Sequence, residues 1–294
     1  MSEQEYGELN GHAISIIMRE LVRRAIGRIY ARRVAFEANT KMGYDGKLDE
    51  VFTTADTAAQ RAYVKSLLEC FPEYGIVAEE DGLSVPCTHP NLDIWFAVDP
   101  LDGTKAFTRR QSHGVGSMIA LVCNGEVIAA YIGDTNTNEV FGFRPDSGKV
   151  HRISDYDTIE RLSEIDFKPL SEHRVMLHDE AEMHSSAVQW LVRRSNRIFR
   201  GQEVTGGSIG MKAARLWTGE IGAMIMHPGW QTPWDLIPVL GISQKLGFVT
   251  ISIDPETGEW QVVELPIQKT KFKTDRELML IRESHLVELP TRFA

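Results

Sequence analysis

Cysteine is scarce: Cys70, Cys87 and Cys123 are the only three in 294 residues, with no metal-ligand spacing and an odd count for disulfides. Reduced thiols in a cytoplasm are the expectation. No stretch approaches the roughly 18 apolar residues that a membrane-spanning helix requires. Residues 1–8 are polar and acidic, so no secretory signal peptide is expected. Positive charge is also short. Thirty-two bases stand against 41 acids, a formal charge of −9, which argues against a nucleic-acid polymer as partner. The nine histidines show no zinc spacing, and no internal repeat or low-complexity tract is visible. What remains is ordinary for a globular chain, 43% hydrophobic and 25% charged, long enough to bury a core. Excess acid can also gather carboxylates that hold cations.

Apolar residues recur at helical spacing from Ile14 to Ile29, which predicts a helix over 10–33 with Asn10 as cap. Its other face carries Arg19, Arg23, Arg24, Arg28 and Arg32; it reads more simply as solvated than as a membrane-binding face. A second helix is expected over 57–70, with Thr54 or Asp56 near its start. Two continuous apolar runs, 75–78 and 94–98, read as strands covered on both sides. Segments 115–122 and 127–132 flank Asn124-Gly125, a hairpin turn signal, and 139–143 reads as a third antiparallel strand. Polarity and lost periodicity over 144–169 place a domain boundary there, giving domains 1–150 and 151–294. The second half alternates, with strands at 174–177, 197–199, 221–226 and 248–253. Helices fall at 185–194, 209–217 and 235–245, the last interrupted near Pro238. Such alternation predicts a layered α/β domain.

Both apolar runs end in acids. The first runs into Glu79-Glu80, and the second into Asp99-Pro100-Leu101-Asp102-Gly103-Thr104-Lys105. Proline and Asp-Gly make a tight turn, so Asp99 and Asp102 can point into one small space. Two adjacent carboxylates repel each other, and one would take up a proton unless a divalent cation intervenes. Hard oxygen ligands suit Mg²⁺. Gly103 and Thr104 then lie where backbone N–H groups could face a phosphate, especially if a short helix begins there. On spacing alone, an exposed turn with two solvated acids fits equally well.

Ala78-Glu79-Glu80 followed by Asp99-Pro100-Leu101-Asp102-Gly103-Thr104 resembles the paired signature of the inositol monophosphatase superfamily. Trp234-Asp235 is similar to its third motif and Thr54-Ala55-Asp56 to a fourth, in the same order. The resemblance implies an α/β (α+β) fold, a layered αβαβα sandwich with mixed sheets. It also implies a Mg²⁺-dependent phosphatase acting on a small phosphorylated metabolite, inhibited by lithium and commonly a homodimer. Glu79, Asp99 and the Leu101 carbonyl would hold one ion; Asp99, Asp102 and Asp235 would hold a second. Glu79 could help hold a third through waters. Thr104 with Asp56 would orient the attacking water, and the Gly103 and Thr104 amides would meet phosphate oxygens. A regulatory protein that kept the fold but lost catalysis would be expected to show a broken ligand set; here it is intact.

Departures bear on the substrate. Where inositol phosphatases usually carry a glutamate, seven positions before the aspartate of the Trp-Asp motif, this chain has Pro228. After that motif the usual pair of alanines and a glycine are replaced by Leu236-Ile237-Pro238. Lys105 and Lys212 stand where the 3′(2′),5′-bisphosphate nucleotidase branch carries lysines, though Lys212 could equally be a solvated helix residue. Fructose-1,6-bisphosphatase and histidinol-phosphate phosphatase activities remain open. His113 reads as structural, Arg109-Arg110 as loop or cleft mouth, and Trp217, Trp230 and Trp234 as packing residues.

Overall fold

The computed structural model describes residues 6, 9–43, 46, 50–156, 158–166 and 168–293. In chain order the elements begin with α1 (Gly11–Arg32), β1 (Ala38–Lys41), β2 (Glu50–Thr53), α2 (Thr54–Cys70), β3 (Gly75–Ala78), β4 (Ser84–Val85), β5 (Ile94–Asp102) and α3 (Thr104–Thr108). Next come β6 (Gly116–Cys123), β7 (Glu126–Asp134), β8 (Val140–Phe143), β9 (His151–Ile153), β10 (Ile159–Arg161), β11 (Arg174–Leu177), α4 (Ser186–Leu191), β12 (Gly201–Val204) and α5 (Ile209–Trp217). The chain finishes through β13 (Ile221–Met226), β14 (Gly229–Gln231), α6 (Pro233–Lys245), β15 (Phe248–Ile253), β16 (Trp260–Val263), β17 (Phe272–Thr274) and β18 (Glu277–Arg282).

Two sheets organise the molecule. The first has the order β10-β9-β8-β7-β6-β5-β3-β4, the second β12-β11-β13-β18-β15-β16. Alternate side chains of the apolar runs go to opposite faces, as the two-residue period of a strand demands. On β5, Ile94, Phe96 and Val98 join α1 and α2, while Trp95 and Ala97 face α5 and α6. On β13, Met224 and Met226 face that same middle layer, and Ala223 and Ile225 turn to α4. The layers are therefore α1/α2, first sheet, α5/α6, second sheet and α4, the αβαβα sandwich that the resemblance implies.

Local chemistry explains the element ends. The Asn10 side chain accepts from the His12 and Ala13 amides at 3.1 and 2.9 Å, fixing the start of α1. Thr53 and Asp56 form a reciprocal capping box on α2, so that helix begins three residues before the sequence estimate. Asn124 and Gly125 both adopt positive φ, 50° and 84°, as a tight two-residue hairpin requires.

Four expectations need correction. A boundary at 150 cuts between β8 and β9 of one sheet, because β9 and β10 still pair within it; both are short and polar and leave little trace in the sequence. The strand expected at 197–199 lies instead at Gly201–Val204, because a turn ending at Arg197, with φ 56°, holds 194–197. Pro238 lies inside an unbroken α6, where burial against both sheets outweighs the lost hydrogen bond. The arginine face of α1 is only partly solvated: Arg24 and Arg28 are exposed, but Arg23 donates to the Ser154 carbonyl at 3.2 Å.

Candidate active site

The site forms where β5 leaves the first sheet. In a regular strand, residues three apart point to opposite faces. Here Asp99 pairs with Met118 and Asp102 with Gly116, so three steps on β5 match two on β6. The bulge takes up Pro100-Leu101, where a residue without an N–H costs the ladder nothing. It brings both acids to one side. The chain then turns through Gly103 at φ 92°, where any Cβ would stand 2.3 Å from the Gly114 carbonyl oxygen. Only glycine fits there, and α3 starts at the next residue.

Asp235, third residue of α6, completes the group. Ligand oxygens of Asp99, Asp102 and Asp235 all lie within 4.8 Å of one another. Asp102 also caps α5: its carboxylate accepts from the Ile209 and Gly210 amides at 3.1 and 2.7 Å and from the Ser208 hydroxyl. Asp235 accepts from the Thr232 hydroxyl at 2.5 Å. Asp99 Oδ1 is buried with no hydrogen-bond partner among the described residues. An orphaned carboxylate oxygen among acids is costly unless a cation meets it, and the all-oxygen donor set fits Mg²⁺.

Protons compensate in its place. Burial first, then the neighbouring charges of Glu79 and Asp235, pushes Asp99 well above the usual carboxylate range, and Asp99 and Asp235 share a hydrogen bond. Burial and Asp235 push Asp102 up to about 6, against the pull of its Ser208, Gly210 and Ile209 donors. Burial also raises Glu79, opposed by Lys41. Folded carboxylates with raised values bind protons that the unfolded chain releases. Stability without metal therefore falls as pH rises through these values. Going from 3.8 to about 6 at Asp102 amounts to on the order of 3 kcal/mol. The gain in melting temperature on adding Mg²⁺ should thus be negligible near pH 4 and grow through pH 6 to 7. A gain independent of pH would mean that these acids are not the ones relieved.

Asp56 lies buried beside this group. Its Oδ2 accepts from the Thr53 amide at 2.7 Å and hydroxyl at 2.6 Å, leaving Oδ1 to the Thr104 hydroxyl at 3.0 Å. Thr104 Oγ also lies 3.1 Å from the Leu101 carbonyl. Glu79 stands outside the tight trio. Lys41, at the end of β1, reaches Glu79 and Glu80 at 3.2 and 3.1 Å. Sequence reasoning missed Lys41, and no motif marks it.

A cleft of about 350 Å³ opens beside Asp102 and Asp235. Lys212 lines it and is only 5% exposed, so it is no solvated helix residue. Burial lowers its pKa, while Asp102 and Asp179 oppose the shift. Trp217 and Trp234 are packed as expected, but Trp230 is 41% exposed and faces the cleft. Pro228 lines it too, as do His178 and His227, which sequence reasoning did not single out. Lys105, Arg109, Arg110 and His113 are exposed and are not among its lining residues.

The sequence profile of the inositol monophosphatase family matches residues 12–274. Nus factor SuhB of Xylella fastidiosa is 38% identical over 111 residues, 38% of this chain and 36% of the relative. The chain thus spans little more than a third of that curated relative. Among solved structures, the Thermotoga maritima IMPase superposes with a TM-score of 0.69 at 19% identity, covering 93% of both chains. An IMPase/NADP phosphatase complexed with Mg²⁺ and phosphate gives 0.67 at 15% identity, covering 93% of this chain and 92% of that one. At such identities the likeness speaks to the fold.

Proposed function

Because the chain belongs to the inositol monophosphatase family, we propose that it is a Mg²⁺-dependent hydrolase of a small phosphate monoester. The observation that carries this reading is the trio Asp99, Asp102 and Asp235, within 4.8 Å of one another and holding an unpartnered buried oxygen, at the end of a 350 Å³ cleft. These acids, with Glu79 and the Leu101 carbonyl, would hold two ions or, with Glu79 acting through waters, three. Bound there, Mg²⁺ would activate a water and stabilise charge on phosphate and leaving oxygens.

The chain's own groups handle the proton. Thr104 Oγ accepts from the attacking water while its own hydrogen passes to Asp56 Oδ1, 3.0 Å away. Burial raises Asp56 and so equips it to receive that proton, although the Thr53 and Thr104 hydrogen bonds oppose the shift. The amides of Gly103 and Thr104 meet phosphate oxygens as they become more negative.

The cleft favours one kind of alcohol. Pro228 offers no carboxylate to a polyol, whereas Trp230 lines the cleft with an indole, over which Lys271 Nζ lies at 4.8 Å, and Lys212 lines it with an ammonium. We therefore propose a phosphorylated nucleotide with a second phosphate, the 3′(2′),5′-bisphosphate nucleotidase type, ahead of fructose 1,6-bisphosphate. The solved IMPase/NADP phosphatase supports a nucleotide leaving group within this fold. Phosphate release from 3′-phosphoadenosine 5′-phosphate, fructose 1,6-bisphosphate, histidinol phosphate and inositol 1-phosphate should be compared at equal Mg²⁺. The first should show the highest kcat/KM. Lys212→Ala should lower it more than about tenfold, the worth of one charge-assisted hydrogen bond, and spare monophosphates. First rank for inositol 1-phosphate would sink the reading of Pro228, and an unchanged Lys212→Ala would sink that of Lys212. Lithium in excess should inhibit the same assays; full activity would place the chain outside the sensitive branch.

A second reading, a regulatory protein that binds but does not hydrolyse, draws on the curated relative being named a Nus factor. The intact ligand set favours catalysis. We further propose a cytoplasmic setting, consistent with three unpaired cysteines, and a homodimer; sedimentation of the purified chain as a monomer would remove the latter.

A further inference from the structure

A basic surface assembled from two distant segments flanks the catalytic turn and has no part in the chemistry above. Helix α1 buries Ile14, Met18, Leu21, Val22, Ile26 and Ile29 in the core, and its 3.6-residue period leaves the other side to solvent. Arg23 folds back onto the Ser154 carbonyl. Arg24 and Arg28 stand exposed, and Arg32 and Arg33 are half-buried where the helix ends. The second segment is α3 and the turn after it, with Lys105, Arg109 and Arg110 exposed.

The two segments meet. The Arg110 guanidinium donates to the Val34 carbonyl at 3.5 Å, and the Phe36 and Phe107 rings pack at 4.9 Å. Arg33 and Arg110 line one small hollow. None of the seven cations pairs with a carboxylate among the described residues, and Glu20 is taken by Arg23 at 3.8 Å. Elsewhere on this chain, with 41 acids to 32 bases, Arg152, Arg215 and Arg276 each hold a carboxylate at 2.5–2.9 Å. Like charges gathered without a counter-charge repel one another until an anion meets them.

Two large apolar side chains are exposed at the same place. Tyr30 is 52% exposed, with the Arg33 guanidinium 5.1 Å from its ring, and Val34 is 75% exposed. An anionic lipid surface uses both features. Its phosphates take guanidinium forks, and its interfacial layer takes tyrosine and short apolar side chains. A nucleic-acid backbone offers nothing to Val34. A single small ester is too short, because Arg24 to Arg32 spans about 12 Å of helix. The formal charge of −9 does not cancel the patch, since at physiological salt an exposed charge is felt over only about 8 Å.

We propose that this surface docks the protein reversibly on an anionic lipid bilayer, with Tyr30 and Val34 at headgroup level. Helix α1 does not insert, because its apolar face is spent in the core; the attachment is peripheral and electrostatic. Read alone, the arginines of α1 look solvated, and the turn at 105–110 with the exposed apolar pair changes that balance. Lys105 directly follows Thr104, so a bilayer held there lies beside the candidate active site.

Vesicle sedimentation tests this without any activity assay. The full chain is mixed at low salt with vesicles of phosphatidylcholine, alone or with one third phosphatidylglycerol. It should sediment only with the anionic vesicles and be released by molar salt. Each arginine near such a surface strengthens binding about fivefold. The triple variant Arg24→Gln, Arg28→Gln, Arg32→Gln should therefore bind about a hundredfold more weakly. Val34→Asp should also weaken binding, with a melting temperature like that of the unmodified chain. The double variant Arg193→Gln, Arg194→Gln, at exposed positions after α4, should bind as the unmodified chain does. No sedimentation with anionic vesicles, equal sedimentation with neutral ones, or undiminished binding by the triple variant would overturn the proposal. So would an equal loss in the double variant. Binding of single-stranded RNA but not of anionic vesicles, lost in the triple variant, would assign the patch to nucleic acid instead.

Discussion

Asp235→Asn should lower Mg²⁺-dependent phosphate release by about a thousandfold or more while raising the melting temperature of the metal-free protein by a few degrees. The two effects share one cause. Four neighbouring acids, Asp99 and Asp102 buried and Glu79 and Asp235 half-buried, repel one another. A bound divalent ion contributes several kcal/mol of charge stabilisation to the transition state, each ~1.4 kcal/mol being tenfold in rate. Asparagine keeps an oxygen for the Thr232 hydroxyl but removes the charge, so the empty site is relieved and the loaded one weakened. Asp102→Asn should behave differently. The Asp102 carboxylate also accepts the amides that begin α5, and an asparagine NH₂ group cannot accept from them. That variant should lose activity without gaining stability. Calorimetry showing undiminished Mg²⁺ affinity in Asp235→Asn would remove the trio from the mechanism.

Thr104→Ala should reduce kcat by about 10²- to 10⁴-fold, the usual range for a proton-transfer group, with Mg²⁺ affinity nearly unchanged and the melting temperature lowered by a few degrees, because buried Asp56 Oδ1 loses its donor. The half-buried hydroxyl contributes only its bonds to Asp56 and the Leu101 carbonyl to the fold. Asp56→Asn should be equally slow and also less stable, because Asp56 closes the capping box of α2 by accepting the Thr53 amide and hydroxyl. Wild-type turnover in Thr104→Ala would exclude the relay.

The contrast between these variants marks what the sequence carries and what it does not. Glu79, Asp99 and Asp102 were legible because apolar runs end in them, and local pattern fixes such positions; Asp235 was legible only through the resemblance of Trp234-Asp235 to a family motif. The bulge at Pro100-Leu101, which turns Asp99 and Asp102 to one side, is hinted at only by the proline. Lys212, read from its flanks, looked equally like a solvated helix residue; the cleft that buries it is built from β11, β13 and the segment before α6, distant in the chain. Lys41, Trp230, His178 and His227 depend on the same long-range assembly. Strands β16, β17 and β18 went unread although β18 lies between β13 and β15. Its apolar residues follow a polar stretch without a turn motif to announce them.

Metal dependence is the core of the account, and one titration tests it directly. The chain is stripped of metal with a chelator, dialysed and assayed for phosphate release from 3′-phosphoadenosine 5′-phosphate as Mg²⁺ is restored. Release should be absent at first, rise with Mg²⁺ to a plateau, and stay absent throughout in Asp99→Asn. Calorimetry showing saturable Mg²⁺ binding with no phosphate released from any of the four esters would contradict a phosphatase and leave a binding protein in its place.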